Sequence, residues 1–282
     1  MNVRKILALC PILPILFSIS SCKFEKRHTH KFNNNICKCG YKRSPFSKCT
    51  FDNEGYVLNY REYMPEEASE DNKRPLVIFL HGVGERGDDN EAQLKIAVDN
   101  IHGRGEWAKS VIIAPQCPID TYWVLTPWAE GNYLQSEIVE SEPLKAVAAL
   151  VKEYMKKPFV DTSRIYITGL SLGGFGTWDM ISRYPELFTA AVPICGGAPI
   201  DKIDVLKNIP IYTFHGTLDD AVPYSGTKEI YKAIKKAGGE KIIFKTFIDG
   251  HAIWDRSLTF RGGKNTPYPS VEEWLFSQRK GN

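Results

Sequence analysis

From about Phe51 onward, short apolar runs alternate with segments of helical periodicity. Residues 75–80 and 111–114 are continuous apolar runs, as expected for parallel strands that are buried on both faces. Residues 143–154 and 173–183 instead place apolar side chains at helical spacing. Strands that alternate with helices predict an α/β fold, in which a mostly parallel, twisted sheet carries helices on both faces.

The same pattern accounts for the rest of this part of the chain. Further strands are predicted at 56–63, 164–169, 190–195, 209–214 and 241–248, and further helices at 225–236 and 271–278. The connection between the strands at 190–195 and 209–214 is too short for a large lid domain. The longest irregular connection, residues 121–142, is the best candidate for a functional loop.

The N-terminus has the composition of an export signal. Two basic residues precede an apolar run at 6–19, which is shorter than the roughly 20 residues that a spanning helix requires. The next residues, Ile-Ser-Ser-Cys at 19–22, resemble a bacterial lipobox, in which the cysteine is acylated and becomes the first mature residue. We therefore expect a signal peptide over 1–21 and an exported bacterial envelope protein, anchored in the membrane by lipid on Cys22. The alternative is a plain cleaved signal with an ordinary thiol.

Residues 22–50 are polar, basic and poor in apolar periodicity, which predicts a tether that leads into a catalytic domain at 51–282. The tether contains two histidines and two closely spaced cysteines: His28, His30, Cys37 and Cys39. This set would suffice for a tetrahedral zinc site, but zinc motifs usually separate their cysteines by two to four residues. A linker without metal, or a cysteine bridge, is the simpler interpretation.

The charge balance indicates no special partner. The formal net charge is +3, from 36 basic and 33 acidic residues, and no long basic run occurs. A nucleic-acid partner is therefore not expected.

A Gly-x-Ser-x-Gly pattern at residues 169–173 lies where a predicted strand ends and a predicted helix begins. A nucleophilic serine in such a fold sits in a strained turn, and glycines two residues to either side avoid collision with neighbouring backbone. Three fixed residues are weak evidence alone, but this placement and the additional Gly174 strengthen the signal. Ser171 is therefore the candidate nucleophile. The alternative is an ordinary serine at a helix N-terminus.

A serine hydroxyl attacks poorly until a base takes its proton, and the base must be oriented by an acid. After Ser171 the chain contains only two histidines, His215 and His251. His251 lies in a Gly-His loop after a predicted strand and is the candidate base, whereas His215 is interpreted as structural. The acid is one of the two aspartates between the histidines, Asp219 or Asp220.

Four blocks of the sequence, at 75–87, 164–197, 214–223 and 250–254, resemble one branch of the α/β-hydrolase superfamily. That branch contains dienelactone hydrolases, carboxylesterases and polyhydroxybutyrate-depolymerase-like and feruloyl-esterase-like enzymes. The similarity covers essentially all of residues 56–279. It implies an ester hydrolase that works through a Ser-His-Asp triad and an acyl-enzyme, with no cofactor and no metal.

The resemblance also assigns individual residues. In this branch the acid stands fifth in a His-Gly-x-x-Asp-x-x-Val-Pro block, which is residues 215–223 here and selects Asp219. The branch pairs a His-Gly-x-Gly loop, residues 81–84 here, with the serine turn. The resemblance thus implies an oxyanion hole made by the backbone N–H groups of Val83 and Leu172.

Other polar and aromatic residues have simpler interpretations. Four charged residues near the His-Gly-x-Gly loop are expected to form a solvated or ion-paired loop rather than a catalytic group: Glu85, Arg86, Asp88 and Asp89. His102 is expected at the surface. Three tryptophans are candidates both for an acyl or sugar pocket and for core packing: Trp123, Trp128 and Trp254.

Substrate class is only weakly indicated, because a fold and a triad do not specify the acid or the alcohol. Export and the short connections favour an open site and a bulky external ester, so acylated plant polysaccharide or feruloyl-type esters are the leading hypothesis. A short-chain carboxylesterase comes next. A serine peptidase is a third hypothesis, because the motifs overlap with the prolyl-oligopeptidase catalytic domain. A surface lipoprotein that binds a partner without catalysis is the hypothesis from another class.

Overall fold

The computed structural model describes residues 32–33, 36–37, 44–263 and 266–281. The predicted signal peptide with Cys22, and the zinc candidates His28, His30 and Cys39, lie outside these residues, as does the side chain of Cys37. Export, lipidation and zinc binding therefore stay predictions. Within the described part, no helix has both the length and the apolar composition needed to cross a membrane.

An eight-stranded, mostly parallel sheet forms the centre of the molecule, which confirms the predicted α/β class. A small antiparallel ribbon precedes it, made of β1 (Phe32–Asn33) and β2 (Ile36–Cys37). The strands of the large sheet are β3 (Ser47–Asn53), β4 (Tyr56–Tyr63), β5 (Arg74–Leu80), β6 (Val111–Pro115), β7 (Val160–Leu170), β8 (Ala190–Ile194), β9 (Ile211–Gly216) and β10 (Ile242–Phe247). Their spatial order is β10-β9-β8-β7-β5-β6-β4-β3, and β3 and β4 are the antiparallel members.

Helices cover both faces of this sheet, as the sequence predicts. They are α1 (Val98–Ile101), α2 (Glu142–Met155), α3 (Leu172–Arg183), α4 (Ile203–Leu206), α5 (Tyr224–Lys236), α6 (Trp254–Leu258) and α7 (Val271–Ser277). The first core cluster joins the sheet to α2, α3, α4 and α5, and the second joins it to α1, α6 and α7.

Strand β5 shows how the two cores are built. Leu76, Ile78 and Leu80 belong to the first cluster, whereas the alternate residues Val77 and Phe79 belong to the second. Successive side chains of a strand point to opposite faces, so a strand covered on both faces must be apolar throughout. Burial of each such side chain stabilises the fold by about 1.5–3 kcal/mol.

The folded part begins earlier than the predicted boundary at residue 51. Strand β3 starts at Ser47 and pairs with β4 along its whole length, and Phe46 just before it is buried. The prediction missed this strand because it is an edge strand with polar residues on one face, such as the exposed Lys48. Cys49 in this strand is disulfide-bonded.

Within residues 44–263 and 266–281 there is no large lid domain over the sheet. The connection from β8 to β9 contains only a single helical turn at Ile200–Lys202 and the short α4. The carboxyl ends of β7, β9 and β10 therefore lie at an open edge, where open α/β sheets bind their ligands.

Candidate active site

Ser171 occupies a strained turn between β7 and α3. Its backbone has φ 53° and ψ −117°, a region that non-glycine residues seldom adopt. Backbone hydrogen bonds hold the turn, since Ser171 N donates to Ile194 O at 2.9 Å and Ser171 O accepts from Phe175 N at 3.1 Å. The strain is thus stabilised by the neighbouring strand and by the first turn of the helix.

The glycines of the motif are required by close backbone packing. A Cβ atom on Gly173 would lie 1.9 Å from Leu80 O, and one on Gly169 would lie 2.3 Å from Gly173 O. Neither carbonyl can rotate away as a side chain would. The Gly-x-Ser-x-Gly pattern therefore lets the serine turn pack directly against the end of β5.

The structure brings the three predicted side chains together. Ser171 Oγ lies 2.8 Å from His251 Nε2, and His251 Nδ1 lies 2.7 Å from Asp219 Oδ2. An ionised carboxylate only accepts hydrogen bonds, so Nδ1 donates to it and Nε2 is left to accept from the serine hydroxyl. The three residues follow the carboxyl ends of β7, β9 and β10, which are close in the sheet although distant in sequence.

Asp219 is held as a buried carboxylate. Its side chain is 0% exposed, and Oδ1 accepts from the backbone N–H groups of Ala221 and Val222 at 3.0 and 2.9 Å. Burial acts to raise the pKa of this carboxyl, but hydrogen bonds from His215, His251 and the Val222 N–H outweigh it, so the pKa lies well below its usual range. The neighbouring Asp220 is exposed and makes no comparable contact among the described residues.

His215 makes a contact that sequence reasoning missed. It is fully buried, with Nε2 3.1 Å from Asp219 Oδ2 and 3.1 Å from Val222 O, and Nδ1 2.7 Å from Thr227 Oγ1. Both partners of Nε2 are acceptors, so Nε2 carries the proton and Thr227 donates to Nδ1. Two histidines therefore donate to one carboxylate oxygen. The available signal was the spacing of His215 and Asp219, four residues apart in one motif.

Cys195, His215 and Asp219 place three potential metal ligands within 4.8 Å of one another. Each of the three groups already has a hydrogen-bond partner in the structure. Burial raises the pKa of the Cys195 thiol, and its Sγ donates to His251 O at 3.4 Å. His215 and Asp219 already bond to each other, so the group acts as a hydrogen-bonded support beneath His251.

A cleft of about 200 Å³ opens beside Ser171 and His251. Both residues predicted for the oxyanion hole, Val83 and Leu172, lie in its wall. Trp254 also lines the cleft, with its ring centroid 5.7 Å from that of His251 in an edge-on arrangement. The cleft is thus mainly apolar and reaches the serine hydroxyl directly.

His81 fixes the loop that carries Val83. It is buried, its Nε2 accepts from Cys117 N at 2.9 Å, and its Nδ1 lies 2.6 Å from Gly82 O. Nδ1 therefore carries the proton and donates to the Gly82 carbonyl. Because a trans peptide is planar, holding this carbonyl also fixes the direction of the Val83 N–H. Burial lowers the pKa of His81 to about 4, so the ring is neutral at neutral pH.

This buried histidine predicts a specific loss of stability in acid. An unfolded histidine binds a proton near pH 6.5, whereas His81 in the folded protein does so only near pH 4. Between these values the unfolded state binds more protons, so stability falls as the pH falls, by about 2–3 kcal/mol on reaching pH 4.5. Urea unfolding at pH 7 and pH 4.5 measures this for the native protein and for His81→Gln. The variant should lose about 2–3 kcal/mol less, and equal losses would contradict the prediction.

The charged residues that follow the His-Gly-x-Gly loop are not all solvated or ion-paired as predicted. Glu85 is only 7% exposed and lines the cleft, so the prediction of a solvated or ion-paired residue is wrong for it. Burial raises the pKa of its carboxyl, and hydrogen bonds from the N–H groups of Gly82 and Glu85 partly oppose that rise. Asp88 is exposed as predicted, and Asp89 accepts from the N–H of Ala92 at 3.0 Å.

The three tryptophans and His102 lie in different environments. Trp123 is fully buried in the core, and its Nε1 donates to His81 O at 3.1 Å. Trp128 and Trp254 line the cleft instead. His102 lies outside the cleft and packs against two aromatic rings.

The chain matches a protein-family model and is similar to proteins from other organisms. The family model described as phospholipase/carboxylesterase matches residues 65–261, which include Ser171, Asp219 and His251. Poly(3-hydroxyalkanoate) depolymerase C of Paucimonas lemoignei is 32% identical over 124 residues, 44% of this chain and 28% of that protein. The bifunctional acetylxylan esterase/xylanase XynS20E of Neocallimastix patriciarum is 28% identical over 86 residues, 30% of this chain and 13% of that protein. The chain thus spans less than a third of these relatives.

Solved structures extend the comparison over most of the chain. The crystal structure of a thermostable esterase is similar with a TM-score of 0.70 and 30% identity, and the match covers 87% of this chain and 70% of the esterase. Est1E from Butyrivibrio proteoclasticus has a TM-score of 0.51 at 18% identity, over 72% of this chain and 90% of Est1E, which shows a shared fold. From its sheet, its serine turn and these matches, the chain belongs to the phospholipase/carboxylesterase family of α/β-hydrolases.

Proposed function

We propose that the protein is a serine carboxylic-ester hydrolase. The observation that carries this proposal is the continuous hydrogen-bonded chain from Ser171 through His251 to Asp219, with distances of 2.8 and 2.7 Å, at the edge of an open cleft. A serine, a base and a buried acid in this order are the elements of nucleophilic acyl transfer. Membership of the phospholipase/carboxylesterase family supports an ester as the bond that is cleaved.

The geometry leads to a two-step reaction. Ser171 Oγ attacks the ester carbonyl carbon while His251 Nε2 takes the hydroxyl proton, and the Asp219 carboxylate stabilises the imidazolium. The N–H groups of Val83 and Leu172 hold the developing oxyanion, and one such donor contributes about 10²–10³ in rate. His251 then protonates the departing alcohol, leaving the acyl group on Ser171. Water, deprotonated by His251, releases the acid by the same route.

Bulky external esters are the proposed substrates. The two curated relatives are named for a polyester and for acetylated xylan, both of which carry their esters on a polymer. The absence of a large lid in residues 44–263 and 266–281 leaves the serine accessible to such a chain. We therefore propose acylated polysaccharide, including feruloyl-type esters, as the substrate class. An envelope location through the predicted lipid on Cys22 would place the enzyme where such polymers occur.

Hydrolysis assays on the purified protein test this proposal. The substrates are a series of 4-nitrophenyl esters from acetate to octanoate, methyl ferulate, and alanyl-prolyl 4-nitroanilide as the amide. We expect turnover of the esters and none of the amide, because the family acts on ester bonds. Faster cleavage of the anilide would instead identify a serine peptidase. A folded protein without turnover on any substrate would favour the binding lipoprotein.

A further inference from the structure

The long connection between β6 and α2 carries a concentration of exposed apolar side chains. Four large apolar residues of this connection are exposed: Ile119 at 65%, Leu125 at 44%, Trp128 at 39% and Val139 at 74%. Single exposed apolar residues are normal on a protein surface, and three of these four lie outside the cleft of Ser171. Trp128 is the one that lines the cleft, so it is the one whose exposure indicates a binding surface.

The connection is firmly anchored in spite of its irregular backbone. Trp123 is fully buried, and its carbonyl accepts from Ser141 Oγ at 2.6 Å, where α2 begins. Farther along, the Tyr133 hydroxyl donates to the buried Asp179 of α3 at 2.9 Å. Trp128 lies between these anchors, so its exposure belongs to a fixed segment of the surface.

Two further side chains, Tyr122 and Arg86, continue from Trp128 and are not among the residues that line the cleft of Ser171. The ring centroid of Tyr122 lies 5.4 Å from that of Trp128, and the guanidinium of Arg86 lies 4.3 Å from the Tyr122 centroid. Arg86 is itself held in place by main-chain oxygens, since Nη1 donates to Ile119 O and Thr121 O at 3.1 and 2.9 Å. Arg86 Nε donates to Val83 O at 3.1 Å, so among the described residues Nη2 is the guanidinium nitrogen that is left to donate to a ligand.

We propose that Trp128, Tyr122 and Arg86 form a subsite for the sugar ring that bears the scissile ester. The inference rests on the proposed esterase function and specifies its alcohol side. A pyranose has C–H faces that pack on an aromatic ring and hydroxyl groups that need polar partners. Trp128 supplies the apolar face, while the Tyr122 hydroxyl and the Arg86 guanidinium supply the polar groups.

The exposure of Trp128 indicates that this side chain contacts the alcohol part of the ester substrate rather than its acyl part. More than a third of this side chain remains accessible, so the ring lies at the mouth of the cleft rather than at its base. The acyl group must enter the cleft to reach Ser171, and the alcohol part of a polymer must leave by the mouth. A sugar ring offers several hydroxyl oxygens to Tyr122 and Arg86 together with a C–H face for Trp128, whereas an aliphatic polyester offers only its ester oxygens and no ring, which favours a carbohydrate.

Substrate discrimination by Trp128→Ala tests the subsite. We expect the ratio of kcat/KM for acetylated xylan to that for ethyl acetate to fall about tenfold, because the polymer offers a ring to pack on Trp128 and the ethyl group does not. Val139→Ala is the matched control, since it removes an exposed apolar side chain of the same connection that does not line the cleft. That variant should leave the ratio unchanged. An unchanged ratio in Trp128→Ala would overturn the subsite.

A binding measurement separates this proposal from the esterase function. Calorimetric titration of the Ser171→Ala protein with xylohexaose should show binding that Trp128→Ala, added to it, weakens about tenfold. Ester turnover without any Trp128-dependent sugar binding would overturn the subsite and leave the esterase function in place. Trp128-dependent binding of xylohexaose by a protein that cleaves no ester would overturn the esterase function and leave the sugar site.

Discussion

Ser171→Ala is expected to lower kcat on 4-nitrophenyl acetate by about 10⁴–10⁶-fold, because the variant lacks the oxygen that attacks the carbonyl. The fold should be preserved. The backbone hydrogen bonds of the turn, to Ile194 and Phe175, do not involve the lost hydroxyl, and alanine experiences the same backbone strain as serine. Initial rates and a thermal melt, recorded on the same preparations, measure both quantities. A melting temperature close to that of the native protein with a loss of less than tenfold would contradict a serine mechanism.

The adjacent residues Asp219 and Asp220 provide a matched pair of variants that tests which aspartate acts through His251. Asp219→Asn should lower kcat by about 10⁴-fold, because an amide cannot stabilise the imidazolium of His251 as a carboxylate does. Asp220→Asn removes the same charge one residue away from an exposed side chain, so the activity should stay within about twofold. Equal losses in the two variants would mean that Asp219 does not act through His251.

Gly173→Ala is expected to destabilise the fold strongly. The added Cβ would lie 1.9 Å from Leu80 O and 2.7 Å from His81 O, both of them backbone atoms at the end of β5. Relief requires α3 to move away from the sheet, at a cost of at least about 3 kcal/mol. In a chain of this size that corresponds to a fall in melting temperature of roughly 6–12 °C. The same movement displaces Ser171, so esterase activity should fall as well.

Gly103→Ala distinguishes this steric effect from the general effect of replacing a glycine. A Cβ on Gly103 meets no atom within 4 Å, so the variant should melt close to the native protein. Gly176→Ala is an intermediate case, because its closest neighbour is a side-chain atom of Leu80 at 2.8 Å, which can rotate. The expected order of destabilisation is therefore Gly173, then Gly176, then Gly103. Equal melting temperatures in all three variants would show that α3 does not pack as tightly as the structure indicates.

Most helices and strands of the α/β part of the chain can be predicted from local sequence patterns. The helices predicted at 143–154 and 173–183 occur as Glu142–Met155 and Leu172–Arg183. Apolar periodicity marks α2 because that helix turns one face to the core, whereas α3 is buried around its whole circumference and is marked by the glycine-rich turn before it. Edge strand β3 was missed, since an edge strand needs only one apolar face and its partner is recognisable only in three dimensions.

The residues of the site could be predicted to different degrees. Ser171 and His251 were found from motifs, because a strained turn and a loop histidine have local sequence signatures. The order of residues along the chain does not show whether Asp219 or Asp220 is the acid, and the resemblance to a family selects Asp219. The sequence predicts a solvated or ion-paired loop for Glu85, because a carboxylate is rarely buried unless it is paired. Its burial depends on N–H groups that the folded loop supplies.

Local sequence patterns are sufficient to predict the α/β alternation, the glycine-flanked turn and the candidate nucleophile and base, because each depends on residues that are neighbours along the chain. Contacts between distant segments are needed to show that Asp219 faces His251, that His215 donates to the same carboxylate, and that Trp128 opens onto the cleft. These features depend on which groups from distant strands and loops fill the space around a side chain. Local periodicity does not specify that space, since packing between elements creates it.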